Sequence, residues 1–227
     1  MQFRRYGIYY TPEPGALADF GAQWLGWDPV AGKHCPHAEI ADLPRPVEEI
    51  TAMPRKYGLH GTIKPPFFLA DGHSPEALQK ALAGLCATLP PVTLPSLTLS
   101  RLGSFLALKI DGDQTPLAAL AARAVIELDR FRRPPSEAEL ARRRQANLSP
   151  QQEALLAQWG YPYVMEEFRF HITLTGRLGK DAEQTQAALQ PHIAPLLPQP
   201  FVVGSLTLMG EDDNQMFHEI QRYALTG

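Results

Sequence analysis

The octapeptide Phe168-Arg169-Phe170-His171-Ile172-Thr173-Leu174-Thr175 alternates apolar and polar residues from end to end. A period of two is that of a half-buried β-strand. Phe168, Phe170, Ile172 and Leu174 are expected on one face, and Arg169, His171, Thr173 and Thr175 on the other. An imidazole, two hydroxyls and a guanidinium then stand in one row. Leu59-His60-Gly61-Thr62-Ile63-Lys64 repeats the His-x-Thr-apolar pattern in the first half of the chain. One such tetrapeptide means little. Two, each in a strand-like setting and one in each half, make a candidate active site that needs two distant strands brought together.

The intervening chain supports that requirement. A strand is expected over 4–11, a helix over 16–27 and a loop over 28–46. Pro65-Pro66 removes two backbone donors, so the first His-x-Thr strand should end or bend at Lys64. Residues 74–89 read as a helix with Ser74 as N-cap, Pro75 in the first turn, and Leu78, Leu82 and Leu85 on one face. Strands are expected at 92–99 and 105–110, and a helix at 114–131. A basic segment at about 132–160 holds two short helices, 136–144 and 149–159, each opened by a serine cap. A helix at 180–197 and strands at 201–209 and 217–225 close the chain. Each half thus offers a His-x-Thr strand, a helix and a strand pair. The order suggests two α+β lobes whose histidine strands face each other across a cleft, with residues 1–227 as one bilobal domain carrying a helical arginine-rich insert.

Composition narrows the function. Hydrophobic residues are 44% and charged residues 20% of the 227, as in ordinary globular proteins. No apolar run approaches the roughly 18–20 residues of a membrane span, and Met1-Gln2-Phe3-Arg4-Arg5-Tyr6 is not a signal peptide, so no membrane partner and a cytoplasmic protein are expected. The net charge of −3 argues against broad nucleic-acid binding but leaves room for a small anion in a local basic pocket. Cys35 and Cys86 suggest no disulfide framework, and His34-Cys35-Pro36-His37 lacks a second cluster at metal spacing, so no metal and no cofactor are expected. There is no Walker-type loop and no dinucleotide fingerprint.

His60-Gly61-Thr62-Ile63 and His171-Ile172-Thr173-Leu174 resemble the two His-x-Thr/Ser-apolar signatures of the two-histidine (2H) phosphoesterase superfamily. Its members include RNA 2',3'-cyclic phosphodiesterases and RNA ligase-like end-processing enzymes. Arg5-Tyr6, Trp24-Leu25-Gly26-Trp27-Asp28, Tyr57 through Phe67 and Trp159-Gly160-Tyr161 through Gly176 are similar to a subgroup assigned to phosphonate metabolism, the DUF1045-like proteins. The resemblance implies an α+β, LigT-like fold of two antiparallel sheets with flanking helices around a central cleft.

Opening a cyclic phosphodiester needs a base for the attacking water and an acid for the leaving oxygen. Two imidazoles can supply both near neutral pH without a metal. His60 and His171 are the candidate acid/base pair, in an order that the sequence does not assign. Thr62 and Thr173, two residues beyond each histidine on the same strand face, are candidate donors to the phosphate oxygens. Strand alternation also places Lys64 and Arg169 on the cleft face as candidate phosphate ligands, against the alternative that they pair with Glu166, Glu167 or other carboxylates. Tyr6 and Tyr57 are candidate substrate contacts, although packing is the commoner role of such tyrosines. The arginines from 130 to 144 read as a solvated helix face, a lid, or a binding site for an anionic substrate end.

The resemblance implies a metal-independent cyclic phosphodiesterase acting on a small phosphorylated sugar, with 5-phosphoribosyl 1,2-cyclic phosphate as candidate substrate in phosphonate catabolism. An enzyme acting on RNA 2',3'-cyclic ends is the alternative, and a non-catalytic phospho-ligand binding protein is a third reading.

Overall fold

The computed structural model describes residues 2–227. The chain opens with β1 (Arg5–Tyr10), α1 (Ala16–Leu25), a ribbon of β2 (Trp27–Asp28) and β3 (Lys33–His34), and two single-turn helices, α2 (Val47–Ile50) and α3 (Ala52–Arg55). β4 (Gly61–Phe67) carries the first His-x-Thr pattern. It is followed by α4 (Pro75–Cys86), β5 (Val92–Leu94), β6 (Leu97–Leu102), β7 (Phe105–Ile110) and α5 (Thr115–Glu127). The insert folds as α6 (Glu137–Arg144) and α7 (Pro150–Trp159). β8 (His171–Thr173) carries the second pattern, and α8 (Ala182–Ile193), β9 (Phe201–Val203), β10 (Ser205–Glu211) and β11 (Phe217–Ala224) complete the chain.

Local signals set the helix starts. The Ser74 hydroxyl accepts from the Ala77 amide at 3.2 Å, and Ser136 with Glu139 and Ser149 with Gln152 form reciprocal capping boxes, which satisfy amides that the helix itself leaves free. The expected strand at 168–175 is shorter, because only His171, Ile172 and Thr173 find ladder partners on β7. The alternation still holds just before it: Phe168 and Phe170 are buried and Arg169 is exposed. There the Phe170 amide donates to the Gln114 side chain at 3.0 Å instead of to a strand. Thr175 is buried, and its hydroxyl accepts from the Leu106 amide at 3.0 Å.

The two antiparallel sheets expected from the sequence are present, and they are fused. The seven strands run β11-β10-β1-β4-β8-β7-β6, every neighbour antiparallel. The join is the single pair Gly61↔Ile172. The two histidine strands are therefore neighbours in one sheet and do not face each other across a gap.

The halves also exchange parts. The hairpin β6–β7 follows β4 in the chain but pairs with β8. The hairpin β10–β11 follows β8 but pairs with β1, beside β4. α4 packs on β10 and β11, and α8 on β6 and β7, while β5 and β9 pair with each other. Each half covers apolar surface belonging to the other, and one buried cluster runs from Tyr6 and Ile8 through Leu106 and Leu108 to Leu206 and Leu208.

Candidate active site

The register at the join sets the geometry of the candidate site. Gly61 lies opposite Ile172 in an antiparallel pair, so His60 falls opposite Thr173 and Thr62 opposite His171. Ile172 is fully buried, and a Cβ at Gly61 would run into the Phe170 ring. That face belongs to the core. The two histidines and two threonines occupy the opposite face as a quadrilateral with the imidazoles on one diagonal, a pair of positions whose Cα atoms lie roughly 7–8 Å apart in a sheet.

Both imidazoles are held in the same way. Nδ1 of His60 donates to the Gly58 carbonyl at 3.0 Å, and Nδ1 of His171 donates to the Arg169 carbonyl at 2.9 Å. A carbonyl can only accept, so Nδ1 carries the hydrogen in each ring and Nε2 is left for proton transfer. The Thr62 hydroxyl lies 3.3 Å from Nε2 of His60. Burial draws the His60 pKa down to about 4, and the nearby His171 adds to this against the opposing pull of the Gly58 carbonyl. His60 is therefore a neutral imidazole at neutral pH.

Two adjoining cavities lie over this face. One of about 530 Å³ is bordered by His60, Thr62, Thr173, Tyr9, Tyr57 and Tyr161. The other, about 340 Å³, is bordered by His171, Arg169, Thr62 and Tyr161. Thr62, Pro65 and Tyr161 border both, so Thr62 stands where the two spaces meet.

Tyr57 is in place, its ring 5.4 Å from the His60 ring and stacked on Phe217 at 4.9 Å. Tyr6 is not. It is buried in the main core with Ile8 and Tyr10, and strand parity gives the cavity face of β1 to Arg5, Gly7 and Tyr9. Lys64 also leaves the site. Ile8 pairs with Lys64 while Tyr9 pairs with Thr62, so one step on β1 matches two on β4. This β-bulge turns Lys64 to the face opposite Thr62, and a second register shift between Tyr6 and Ile8 restores the parity by Phe67. The Lys64 ammonium turns inward to the Val125 carbonyl at 3.1 Å and to Asp129 at 3.4 Å. Burial lowers its pKa to about 8, with Asp129 opposing, and Pro65 and Pro66 border the cavity instead. Arg169 is exposed beside His171, but its guanidinium donates to the carbonyls of Glu166 and Phe168 at 2.8 and 2.7 Å. It braces the turn that orients His171.

Residues not singled out from the sequence for this site also border the larger cavity, among them Tyr9, Tyr161, Arg5, Glu211 and Lys56. Alternation along β1 carried the signal for Arg5 and Tyr9. Glu211 faces Arg5 across the β1–β10 ladder and pairs with it, a contact that requires the register. Arg142 and Arg143, within the basic segment, border the same cavity.

Among known proteins, residues 62–218 match the family model described as "Protein of unknown function (DUF1045)". The chain is 36% identical over 231 residues to a ribose 1,5-bisphosphate phosphokinase PhnN of Janthinobacterium sp. (strain Marseille), an alignment covering 98% of this chain and 51% of that protein. With a protein of the same name from Laribacter hongkongensis (strain HLHK9) it shares 33% identity over 198 residues, covering 86% and 46%. The chain thus spans about half the length of these curated relatives. A crystal structure of a phosphoesterase aligns over 100% of both chains with a TM-score of 0.45 and 19% identity. That of E. coli LigT complexed with NADP+ aligns over 100% of both chains with a TM-score of 0.45 and 18% identity.

Proposed function

The chain belongs to the DUF1045 family, whose description gives no function, and from the site itself we propose that it is a metal-independent phosphoesterase that opens a cyclic phosphate on a small phosphorylated sugar. The observation that carries this reading is the Gly61↔Ile172 pair, which sets two Nε2-presenting imidazoles and two hydroxyls on one sheet face.

His60, kept neutral by burial, takes a proton from water through Nε2 as the water oxygen bonds to phosphorus. His171, on the other diagonal corner, gives the proton on its Nε2 to the departing sugar oxygen as the phosphorus–oxygen bond breaks. Thr62 and Thr173 donate to the non-bridging oxygens, where charge builds up. The candidate substrate is 5-phosphoribosyl 1,2-cyclic phosphate. Opening it at the 2-oxygen leaves ribose 1,5-bisphosphate, the sugar that the PhnN relatives are named for. The phosphokinase half of their name belongs to proteins about twice as long. This sequence has no Gly-x-x-x-x-Gly-Lys-Ser/Thr loop, and no kinase step is assigned to it.

The test is ring opening followed by phosphorus NMR, with chelator present, on phosphoribosyl 1,2-cyclic phosphate and on a 2',3'-cyclic nucleotide. Turnover of the sugar supports the reading. Turnover of the nucleotide alone would replace it with an RNA-end activity, and turnover of neither would favour a binding protein.

A further inference from the structure

Six arginines lie between positions 130 and 144, and two of them stand apart by bordering the cavity that holds His60. Arg130 stacks on the Phe131 ring at 5.0 Å. Arg132 pairs with Asp129 at 2.8 Å. Arg133 reaches Glu139 at 3.8 Å and lies 4.3 Å over Phe68, and Arg144 pairs with Glu153. Arg142 and Arg143 form no ion pair among the described residues. These two border the cavity that holds His60.

Arg143 is fixed in place although it lacks a carboxylate, because its guanidinium lies 4.6 Å over the Tyr161 ring. Burial holds its pKa below the ordinary guanidinium value, and Arg142 and Arg5 push the same way while Tyr161 and Glu139 oppose them. Arg5 is neutralised by Glu211. Three guanidiniums therefore border one cavity and act on one another, with two carboxylates nearby, Glu211 paired with Arg5 and Glu139 shared with Arg133. β1 runs from Tyr9, beside His60, to Arg5, four residues or roughly 13 Å of strand, a span that long arginine side chains shorten. A cavity with excess cation at one end and a neutral histidine at the other suits a ligand with two separated anionic groups.

We infer that Arg142 and Arg143 bind a phosphomonoester of the substrate, on the same sugar that carries its cyclic phosphate to His60 and His171. The identity of the group at the histidines rests on the function proposed above. Guanidinium forks match phosphate oxygens in geometry and charge, and here the phosphate would relieve a repulsion already present among the three arginines.

The test compares binding of two non-reactive probes, ribose 1,5-bisphosphate and ribose 1-phosphate, by titration calorimetry. The wild type should prefer the bisphosphate, and the double variant Arg142→Gln/Arg143→Gln should lose about 10- to 100-fold of that preference. Arg144→Gln, which removes one guanidinium from the same helix at a residue paired with Glu153, should keep the preference. A double variant with the wild-type preference, or a wild type with none, would overturn the inference. Neither probe is turned over, so the two readings fail separately. Arginine-dependent preference without ring opening would remove only the proposed activity. Ring opening with an arginine-independent preference would remove only this inference.

Discussion

The Tyr9 ring lies against the His60 imidazole, with centroids 4.1 Å apart and planes inclined by 32°. Their strands are paired so that Tyr9 sits opposite Thr62, and Gly7 leaves room for the ring, since a Cβ there would meet it at 2.8 Å. The Tyr9 hydroxyl is buried with no hydrogen-bond partner among the described residues, and burial pushes its pKa well up. It is a protonated donor beside the imidazole with no protein acceptor. Tyr9→Phe removes a buried, unpaired hydroxyl, so the melting temperature should hold or rise. If the hydroxyl meets substrate, kcat/KM for the cyclic phosphate should fall about tenfold. A lower melting temperature with unchanged kinetics would make Tyr9 a packing residue only.

His60→Ala and His171→Ala should each lower kcat by about 10²–10⁴. Each also leaves a hole on one diagonal of the quadrilateral, so circular dichroism should accompany the rate measurement. Full activity in both variants would end the acid/base assignment.

The pH profile tests the protonation state of His60. His60 has its pKa lowered to about 4 by burial, so its base form persists as pH falls through 6.5 and disappears only on approach to 4. The acid limb of kcat/KM should therefore lie near pH 4; a limb centred near 6.5 would remove His60 as the base. Stability follows the same sign. Between pH 6.5 and 4 the unfolded chain takes up the proton that folded His60 refuses, so stability is full above 6.5 and declines as pH falls through that window. His60→Asn should flatten this slope in denaturant titrations.

Lys64→Met tests the strand parity. The ammonium contacts Val125 and Asp129 and not the cavity, and Asp129 keeps Arg132 as a partner. Ring opening should stay within about twofold of wild type. A loss comparable to that of the histidine variants would return Lys64 to the substrate.

Gly61→Ala tests the join between the two half-sheets. The added methyl would press on Phe170, a buried ring packed against Tyr10 and Phe201. Overpacking of this kind costs about 1–3 kcal/mol, measurable by urea unfolding, and it should reduce turnover as well because the pair that aligns the histidines is displaced. Unchanged stability would mean that the strands can separate there freely.

Much of this protein was legible one residue at a time. Ser74, Ser136 and Ser149 marked helix starts because a cap acts within three residues. The alternation around His171 and Thr173 assigned their face because pleating repeats every two. The same His-x-Thr spacing marked His60 and Thr62 in the first half of the chain.

Only the tertiary structure decided the rest, and the reason in most cases is a partner distant in sequence. The bulge opposite Ile8 and Tyr9 turned Lys64 inward, and nothing in Thr62-Ile63-Lys64-Pro65 records which strand lies alongside. Parity along β1 was visible, but the side of the sheet that faces the histidines was not, so Tyr6 was expected where Tyr9 stands. The exchange of hairpins between halves follows from which apolar face each helix covers. Six arginines look alike in sequence. Asp129, Glu139 and Glu153 pair with three of them; of the three without an ion pair among the described residues, Arg130 lies on the Phe131 ring, and Arg142 and Arg143 border the cavity that holds His60. Periodicity and caps are short-range properties that a sequence carries by itself. Register, burial and the neighbours of a charge exist only once the chain has closed on itself.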